Sequence, residues 1–461
     1  MPIKKTKKHN RKRNKSIKSI KKGGLPIASG GFGCVFKPAL LCKNSTIRPQ
    51  NHISKLMSKK HALKEKNEID LLYKPLSLIN NYQKYFMIDN ITLCEPRPLT
   101  SEDMKGYQKT CKSLERENIT AENINNNLSK LLMITMPDGG LPVDEFLKQY
   151  ANKEKAYFYK LNKSLINLLK NGIIRMNEKD VYHNDIKDSN ILVEKVNDKI
   201  YTRIIDWGLA CIYKPTYNNN KLPSVWINRP FQYNIPYSSI LFSDTFSKVS
   251  AEFYSSNPDP DHLEIKSLVS RFVSQHIDNH GMGHLQLINK IINIVYDDML
   301  NKESIDKILK NNTKYISQTT QEVITGYISE ILLNYRSLTI YNTFDITDYI
   351  DNVYIFNVDQ WGFVMVYYPI LELLYSHYPT LDKDQQFIYH TIRDLFLYII
   401  ETPELPIQGM TIENHLKKID KMDINPFNSL DVSVIDSSKG ITGSTIDPAS
   451  DSMIVSTIDN I

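Results

Sequence analysis

The sequence predicts an α+β fold in which a small part of short strands and one helix, from residue 25 to about 132, precedes a mainly helical part. Three observations carry this. Short apolar runs near the start are punctuated by glycine and proline: Ala28 to Phe36 reads as strand, Gly-rich turn, strand, and Ile53 to Met57 as a strand. Leu131 to Met136 is an apolar run closed by Pro137-Asp138-Gly139-Gly140, a strand followed by a turn. One helix interrupts the strands, His61 to Leu72, with Leu63, Ile69 and Leu72 apolar. Beyond residue 140 helical spacing takes over, at 143–150, 154–177, 264–275, 285–299, 320–335, 359–376 and 384–400.

Composition bounds the rest. With 41% hydrophobic and 23% charged residues, the chain has enough apolar material for a sizeable core. Its net charge of +6 belongs to one end: residues 1–22 hold 11 Lys/Arg and no acid, which leaves the remainder at −5. Residues 1–24 are therefore expected to be a disordered basic tail. It serves as a solubilising arm, a nuclear-import signal, or an arm that contacts nucleic acid or another acidic partner. Residues 426–461 read as a flexible Ser/Thr/Asp-rich tail. Residues 98–127, polar and rich in Asn, Glu and Lys, read as an inserted loop, and 244–350 as a helical segment without a chemical motif.

The five cysteines are odd in number and show no C-x-x-C spacing, which argues against a zinc site or a disulfide framework and for a reducing compartment. No stretch of 18 apolar residues exists, so no membrane partner is expected. The basic N-terminus lacks the apolar segment of a secretory signal, so an intracellular location is expected.

The strongest chemical signal is His183-Asn184-Asp185-Ile186-Lys187-Asp188-Ser189-Asn190, with Asp206-Trp207-Gly208 sixteen residues after Asn190. Phosphoryl transfer from ATP needs a carboxylate at the attacking hydroxyl and hard oxygen ligands for Mg²⁺ on the phosphates. Asp185 suits the first role, Asn190 and Asp206 the second, and Lys187 can neutralise charge on the transferring group. Upstream, Ala28-Ser29-Gly30-Gly31-Phe32-Gly33-Cys34-Val35 offers glycines that let backbone N–H groups approach phosphates, with Phe32 at the loop tip and Val35 over the base. A lysine on a short strand, Lys55 in Ile53-Ser54-Lys55-Leu56, is followed by an acid on a helix, Glu68; Lys59 and Glu65 are the competing choices. Far downstream, Asp359-Gln360-Trp361-Gly362 opens an apolar helix.

Together these motifs resemble the eukaryotic-type protein kinase superfamily, over roughly residues 25–243 and 351–425. Two stretches, Ile27 to Pro38 and Arg229-Pro230-Phe231-Gln232-Tyr233-Asn234, look like the divergent serine/threonine kinases of large DNA viruses. An excess of Asn, Ile, Lys and Tyr suits an AT-rich viral genome.

The resemblance implies a bilobal protein-kinase fold, with an N-lobe over about 25–136, a C-lobe over about 137–425 and insertions at 98–127 and 244–350. It implies transfer of the γ-phosphoryl group of ATP to Ser/Thr hydroxyls of protein substrates. Asp185 and Lys187 would be catalytic, and Asn190 and Asp206 would hold Mg²⁺. ATP would be held by Ala28, Ser29, Gly30, Gly31, Phe32, Gly33, Val35, Lys55, Glu68 and the hinge residue Met136, while Asp359 would hold the catalytic-loop backbone. A viral kinase would act in host cytoplasm or nucleus, or travel in the virion.

The chain departs from the family pattern at Ala28, where the glycine-rich motif has its first glycine, and in three places further on. Asn184 stands where the family has arginine, Trp207 replaces phenylalanine, and Ile235-Pro236-Tyr237-Ser238 replaces Ala-Pro-Glu. Two alternatives stay open: a pseudokinase scaffold, and a small-molecule kinase of the aminoglycoside or choline type. His276, His280 and His284, four residues apart, lack a Cys or acidic partner at ligand spacing and are read as packing residues. Cys34 and Cys211 are read as small packed thiols.

Overall fold

The structure, a computed structural model, describes residues 23–150, 155–215, 221–310, 316–335, 346–422 and 425–433. Residues 1–22 of the expected basic tail and 434–461 of the expected C-terminal tail lie outside them. The chain divides into two compact units, residues 1–63 with 90–138, and residues 64–89 with 139–461.

In the first unit, β1 (Leu25–Ser29), β2 (Gly33–Lys37), β3 (His52–Ser58), β4 (Thr92–Cys94) and β5 (Leu131–Pro137) form an antiparallel sheet in the order β1-β2-β3-β5-β4. Helix α1 (Lys59–Leu76) follows β3 directly and passes into the second unit at Lys64. Glycine is required at residue 33. A Cβ there would lie 2.8 Å from the Leu56 carbonyl oxygen and against the Met57 side chain, so only a bare backbone lets β2 lie on β3.

Residues 98–127 are not the solvated loop their polarity predicts. Short helices α2 (Tyr107–Thr110) and α3 (Lys112–Arg116) bury Leu99, Tyr107, Cys111, Leu114, Ile119 and Ile124 against Phe36, Leu56, Leu131 and Met133 of the sheet. Asp103 ties the segment down, accepting hydrogen bonds from Gly24 N (2.6 Å), Thr100 N (3.0 Å) and Arg48 Nη2 (2.8 Å).

The expectation of free thiols is overturned here. Cys34 is bonded to Cys111 and Cys42 to Cys94, their Cα atoms 5.1 and 5.8 Å apart. The partners stand 77 and 52 residues apart, so local spacing carries no trace of the pairing. In the chain-entropy picture the outer bridge alone restricts the unfolded chain by roughly 4 kcal/mol.

The second unit is mainly helical. Strands β6 (Leu141–Pro142), β8 (Ile191–Val196) and β9 (Lys199–Ile204) form one small antiparallel sheet, and β7 (Val181–Tyr182) pairs with β10 (Cys211–Ile212). Helix α4 is Val143–Tyr150, and α5 (Lys155–Leu168) runs through a π turn into α6 (Ile174–Asn177).

The expected insertion 244–350 contains α7 (Asp244–Ser256), α8 (His262–His280), α9 (Leu285–Val295), α10 (Lys302–Lys310), α11 (Gln318–Asn334) and α12 (Ile346–Tyr349). Ser243 caps α7, and Asp261 with Glu264 forms a capping box on α8. After it come α13 (Ile355–Met365), α14 (Tyr368–Ser376), α15 (Lys383–Glu401) and α16 (Gly409–Ile419).

The insertion is part of this unit's core. Helix α9 buries eight of its eleven residues, Lys290 on it pairs with the buried Glu372 of α14, and Arg393 of α15 donates to the Val295 carbonyl at 2.6 Å. Among the described residues no helix is long and apolar enough to cross a membrane.

Candidate active site

Helix α13 organises the site from beneath. The sequence FNVDQWGFVM lacks a polar face, and Asn357 through Met365 are all buried. Asp359 lies in the second turn of the helix rather than at its N-cap, and its carboxylate reaches the 183–190 loop. It accepts from His183 N and Asn184 N, each at 2.9 Å, and from Asn177 Nδ2 at 2.7 Å. Burial raises its pKa, and His183 with these donors opposes the rise. Two residues on, Trp361 Nε1 donates to the Tyr233 carbonyl at 2.9 Å. At Gly362 a Cβ would lie 2.6 Å from the Ile186 oxygen and 3.0 Å from the Asn234 oxygen, so glycine lets the helix press on both segments.

Asp185 is held on every side. Lys187 Nζ donates to Oδ1 and Oδ2 at 3.0 and 2.8 Å, Asn190 Nδ2 to Oδ2 at 2.8 Å, and Asn234 Nδ2 to Oδ1 at 2.8 Å. Burial pushes the Asp185 carboxyl up, but Lys187 and these hydrogen bonds win and hold it below the usual range. Lys187 is itself desolvated, yet Asp185, with Asp206 and Asp188, keeps its pKa raised. The result is an ionised carboxylate beside a charged ammonium, in place to orient a hydroxyl and meet developing negative charge.

Asn190 and Asp206 are brought together through the backbone. Ile205 N donates to the Asn190 carbonyl at 3.0 Å, and Asp206 is the next residue. Both amide hydrogens accounted for on Asn190 point to Asp185, through its carbonyl and its Oδ2, which turns the amide oxygen away. Asp206 is exposed in the left-handed region (φ 64°), and among the described residues its carboxylate makes no hydrogen bond or ion pair. A carboxylate and an amide oxygen, both available, fit a Mg²⁺ ion that keeps water and phosphate as its other ligands. No cluster of three His, Cys, Asp or Glu side chains suited to a metal occurs among the described residues.

Asn184 is buried, with φ 61°, a conformation asparagine tolerates. Its amide donates to the Tyr182 and Leu209 carbonyls (3.1 and 2.9 Å) and to Cys211 Sγ (3.3 Å). Its side-chain oxygen accepts from Trp226 Nε1 at 2.7 Å, and its carbonyl accepts from Arg229 Nη1 and Nη2 at 3.3 and 3.2 Å. Trp226 is enclosed by the rings of Tyr182, Tyr213 and Tyr354. Cys211 is a free thiol, pushed up to about 12 by burial.

Asp188 is the strained member of the loop. Burial lifts its carboxyl to about 6, helped by Asp144, while the Tyr233 hydroxyl (3.2 Å) and Lys187 pull it down. A folded value above the ordinary carboxylate range means that its contribution to stability is full below about pH 4. That contribution is lost as pH rises to about 6. Asp188→Asn is therefore expected to stabilise the protein by roughly 2–3 kcal/mol at pH 7.5 and not at pH 4. Urea titrations at both pH values check this, and equal stability of the two proteins at pH 7.5 contradicts it.

The Gly-rich residues lie in the first unit. Ser29 ends β1, Gly33 begins β2, and Gly30 N donates to the Gly33 carbonyl at 2.9 Å. Ala28 is exposed and pairs with Val35, Val35 pairs with Lys55, and Lys55 with Ile134. A Cβ on Gly30 would lie 3.7 Å from Lys55 Cε, so the turn and this lysine adjoin, whereas a Cβ on Gly31 would point into open space. Phe32 is exposed and stacks on His61, ring centroids 4.3 Å apart. Met136 pairs with Ile53 and is partly buried against Met57, Ala62 and Ile134.

The competing Lys59 begins α1 and faces Glu95 at 3.6 Å. Glu68 and Glu65 belong to the second unit, where Lys64 lies 3.9 Å from Glu68.

Asn234, Arg229 and Asn177 were missed as site residues by sequence reasoning. Two of them sit in the quoted 229–234 segment, but no local pattern marks a residue whose partner is about 45 positions away. His276 Nε2 bonds to the Arg229 carbonyl at 2.9 Å, and burial drives both His276 and His284 down to about 4. No protein-family model and no curated protein matches this chain.

Proposed function

We propose that this chain is a Mg²⁺- and ATP-dependent serine/threonine protein kinase. In this reading the first unit is the small lobe and the second the large lobe of a bilobal kinase fold. The observation that carries it is the ring of donors around Asp185, in a loop hung from Asp359 and joined through Ile205 to Asn190 and Asp206. Antiparallel order β1-β2-β3-β5-β4, with the Gly-rich turn beside Lys55, supports the nucleotide-binding half. Relationship to the kinases of large DNA viruses rests on the wording of the Gly-rich and 229–234 segments alone.

A carboxylate offers about four acceptor positions, and the donors at Asp185 fill that number, two of them from Lys187. Binding of the γ-phosphoryl group would draw Lys187 toward its oxygens and free a position for the acceptor hydroxyl. Asp185 then orients that hydroxyl for in-line attack and takes its proton as the bond forms. Asn234 keeps the carboxylate from turning. Because the transition state is loose, a weakly basic carboxylate suffices and positioning dominates. Mg²⁺, when bound by Asn190 and Asp206, neutralises charge on the phosphates.

Acceptor class tests the reading. Incubation with γ-labelled ATP and either a mixed protein substrate or aminoglycosides and choline is expected to label Ser and Thr of protein. Label on the small molecules alone contradicts a protein kinase, and absence of any transfer contradicts both kinase readings.

A further inference from the structure

We propose that Cys111 and Ser113, on the inserted segment 98–127, are positioning residues for the phosphate-binding hairpin. The Cys34–Cys111 bond fixes that hairpin for ATP. This rests on the kinase reading. The turn between β1 and β2 is glycine-rich and exposed, and one backbone hydrogen bond, Gly30 N to Gly33 O, closes it. Such a turn loses much freedom when it wraps phosphates, and that loss weakens binding unless something else has already ordered it.

Segment 98–127 supplies the order at both ends of the turn. Ser113 Oγ donates to the Gly33 carbonyl at 2.9 Å and lies 3.0 Å from Ser29 Oγ, and Ser113 N donates to Ser29 Oγ at 3.3 Å. Two residues earlier, Cys111 is covalently bonded to Cys34, the residue after Gly33. Cys34 and Cys111 are fully buried and Ser113 is 3% exposed, so water offers no substitute for the bond or for the contact of Ser113 with the Gly33 carbonyl, while Ser29 is exposed. The segment's own base is the apolar cluster around Tyr107, Leu114, Ile119 and Ile124.

A dithiol reductant opens the clamp by exchange when segment 98–127 transiently opens and lets a thiolate reach the buried sulfurs. Its two thiols give two protons and two electrons to the Cys34–Cys111 bond, leaving two protein thiols and one cyclic disulfide on the reductant. The thiols then stand farther apart than bonded sulfurs, and the end of the hairpin loosens.

The experiment uses full-length Cys42→Ser/Cys94→Ser protein, in which Cys34–Cys111 is the disulfide left to reduce, together with Ser113→Ala in the otherwise unaltered chain. Reduction is expected to raise the KM for ATP about tenfold and Ser113→Ala about threefold, each leaving kcat within about twofold. Far-UV circular dichroism shows that the fold is retained. An unchanged KM in both arms overturns the positioning role and leaves the kinase reading standing, as does a fall in kcat at constant KM. Failure of the oxidised protein to bind nucleotide at all removes the kinase reading and this inference with it.

Discussion

Asp185→Asn is expected to bind Mg-ATP as the unaltered protein does and to transfer phosphate about a thousandfold more slowly. The amide keeps the shape of the carboxylate but cannot take a proton. It also presents a donor to Lys187, Asn190 or Asn234, each of which already donates there. Asp206→Asn should behave differently. Among the described residues its carboxylate has no hydrogen-bond or ion-pair partner, so in the proposed reading the change removes a metal ligand and, besides that, one of the charges that keep the Lys187 pKa raised. Nucleotide affinity should fall about a hundredfold in Mg²⁺ and hardly at all in EDTA. Single-turnover transfer and equilibrium nucleotide binding separate the two. Wild-type transfer by Asp185→Asn contradicts its assignment as base.

Phosphatase treatment is expected to leave kcat/KM within about twofold, whereas Trp226→Phe should lower it about tenfold. In many regulated kinases an arginine before the catalytic aspartate binds a phosphate on the activation segment. Here that position is Asn184, and its side-chain oxygen, its amide and its carbonyl are all engaged within the protein. The polarity of the contact is the reverse of that family pattern: Trp226 and Arg229 donate to residue 184.

Trp226→Phe keeps the ring packing but leaves a buried amide oxygen without its donor, at about 1.4 kcal/mol or more. Ser238 and Ser239 are 0% and 1% exposed, with Tyr349 donating to Ser238 Oγ at 2.8 Å, so a phosphate cannot be placed there without unfolding the segment. Ser224 is exposed, and Thr216 lies outside the described residues. Rates before and after phosphatase decide the matter, and a large loss restored by rephosphorylation at Ser224 or Thr216 contradicts the expectation.

What could be read from the sequence was what is contiguous. The 183–190 loop, Asp206 and the Gly-rich turn are runs of neighbouring residues whose chemistry is local, and the strands around them follow from short apolar runs closed by glycine. The strand that carries Lys55 was legible as a short apolar run, and its register with Val35 was not. Segment 98–127 was misread because its six buried apolar residues are diluted among polar ones: Tyr107, Cys111 and Leu114 keep helical spacing for two turns only, and Leu99, Ile119 and Ile124 fall outside it. The disulfides were misread because cysteine spacing reports local motifs only, and Cys34 meets Cys111 through the fold. Asn184 was legible as a missing charge. Its bond to Trp226 was not, since 42 residues separate them.

The most direct measurement is transfer from ATP labelled at the γ or the α position, with purified full-length protein, a mixed protein acceptor, and either Mg²⁺ or EDTA. Phosphoryl transfer by Asp185, Lys187 and a metal held at Asn190 and Asp206 predicts label on protein Ser/Thr from γ-labelled ATP only, in Mg²⁺ only, and none with Asp185→Asn. Equal labelling with Asp185→Asn, or no γ-label transferred by the unaltered protein under Mg²⁺, contradicts it.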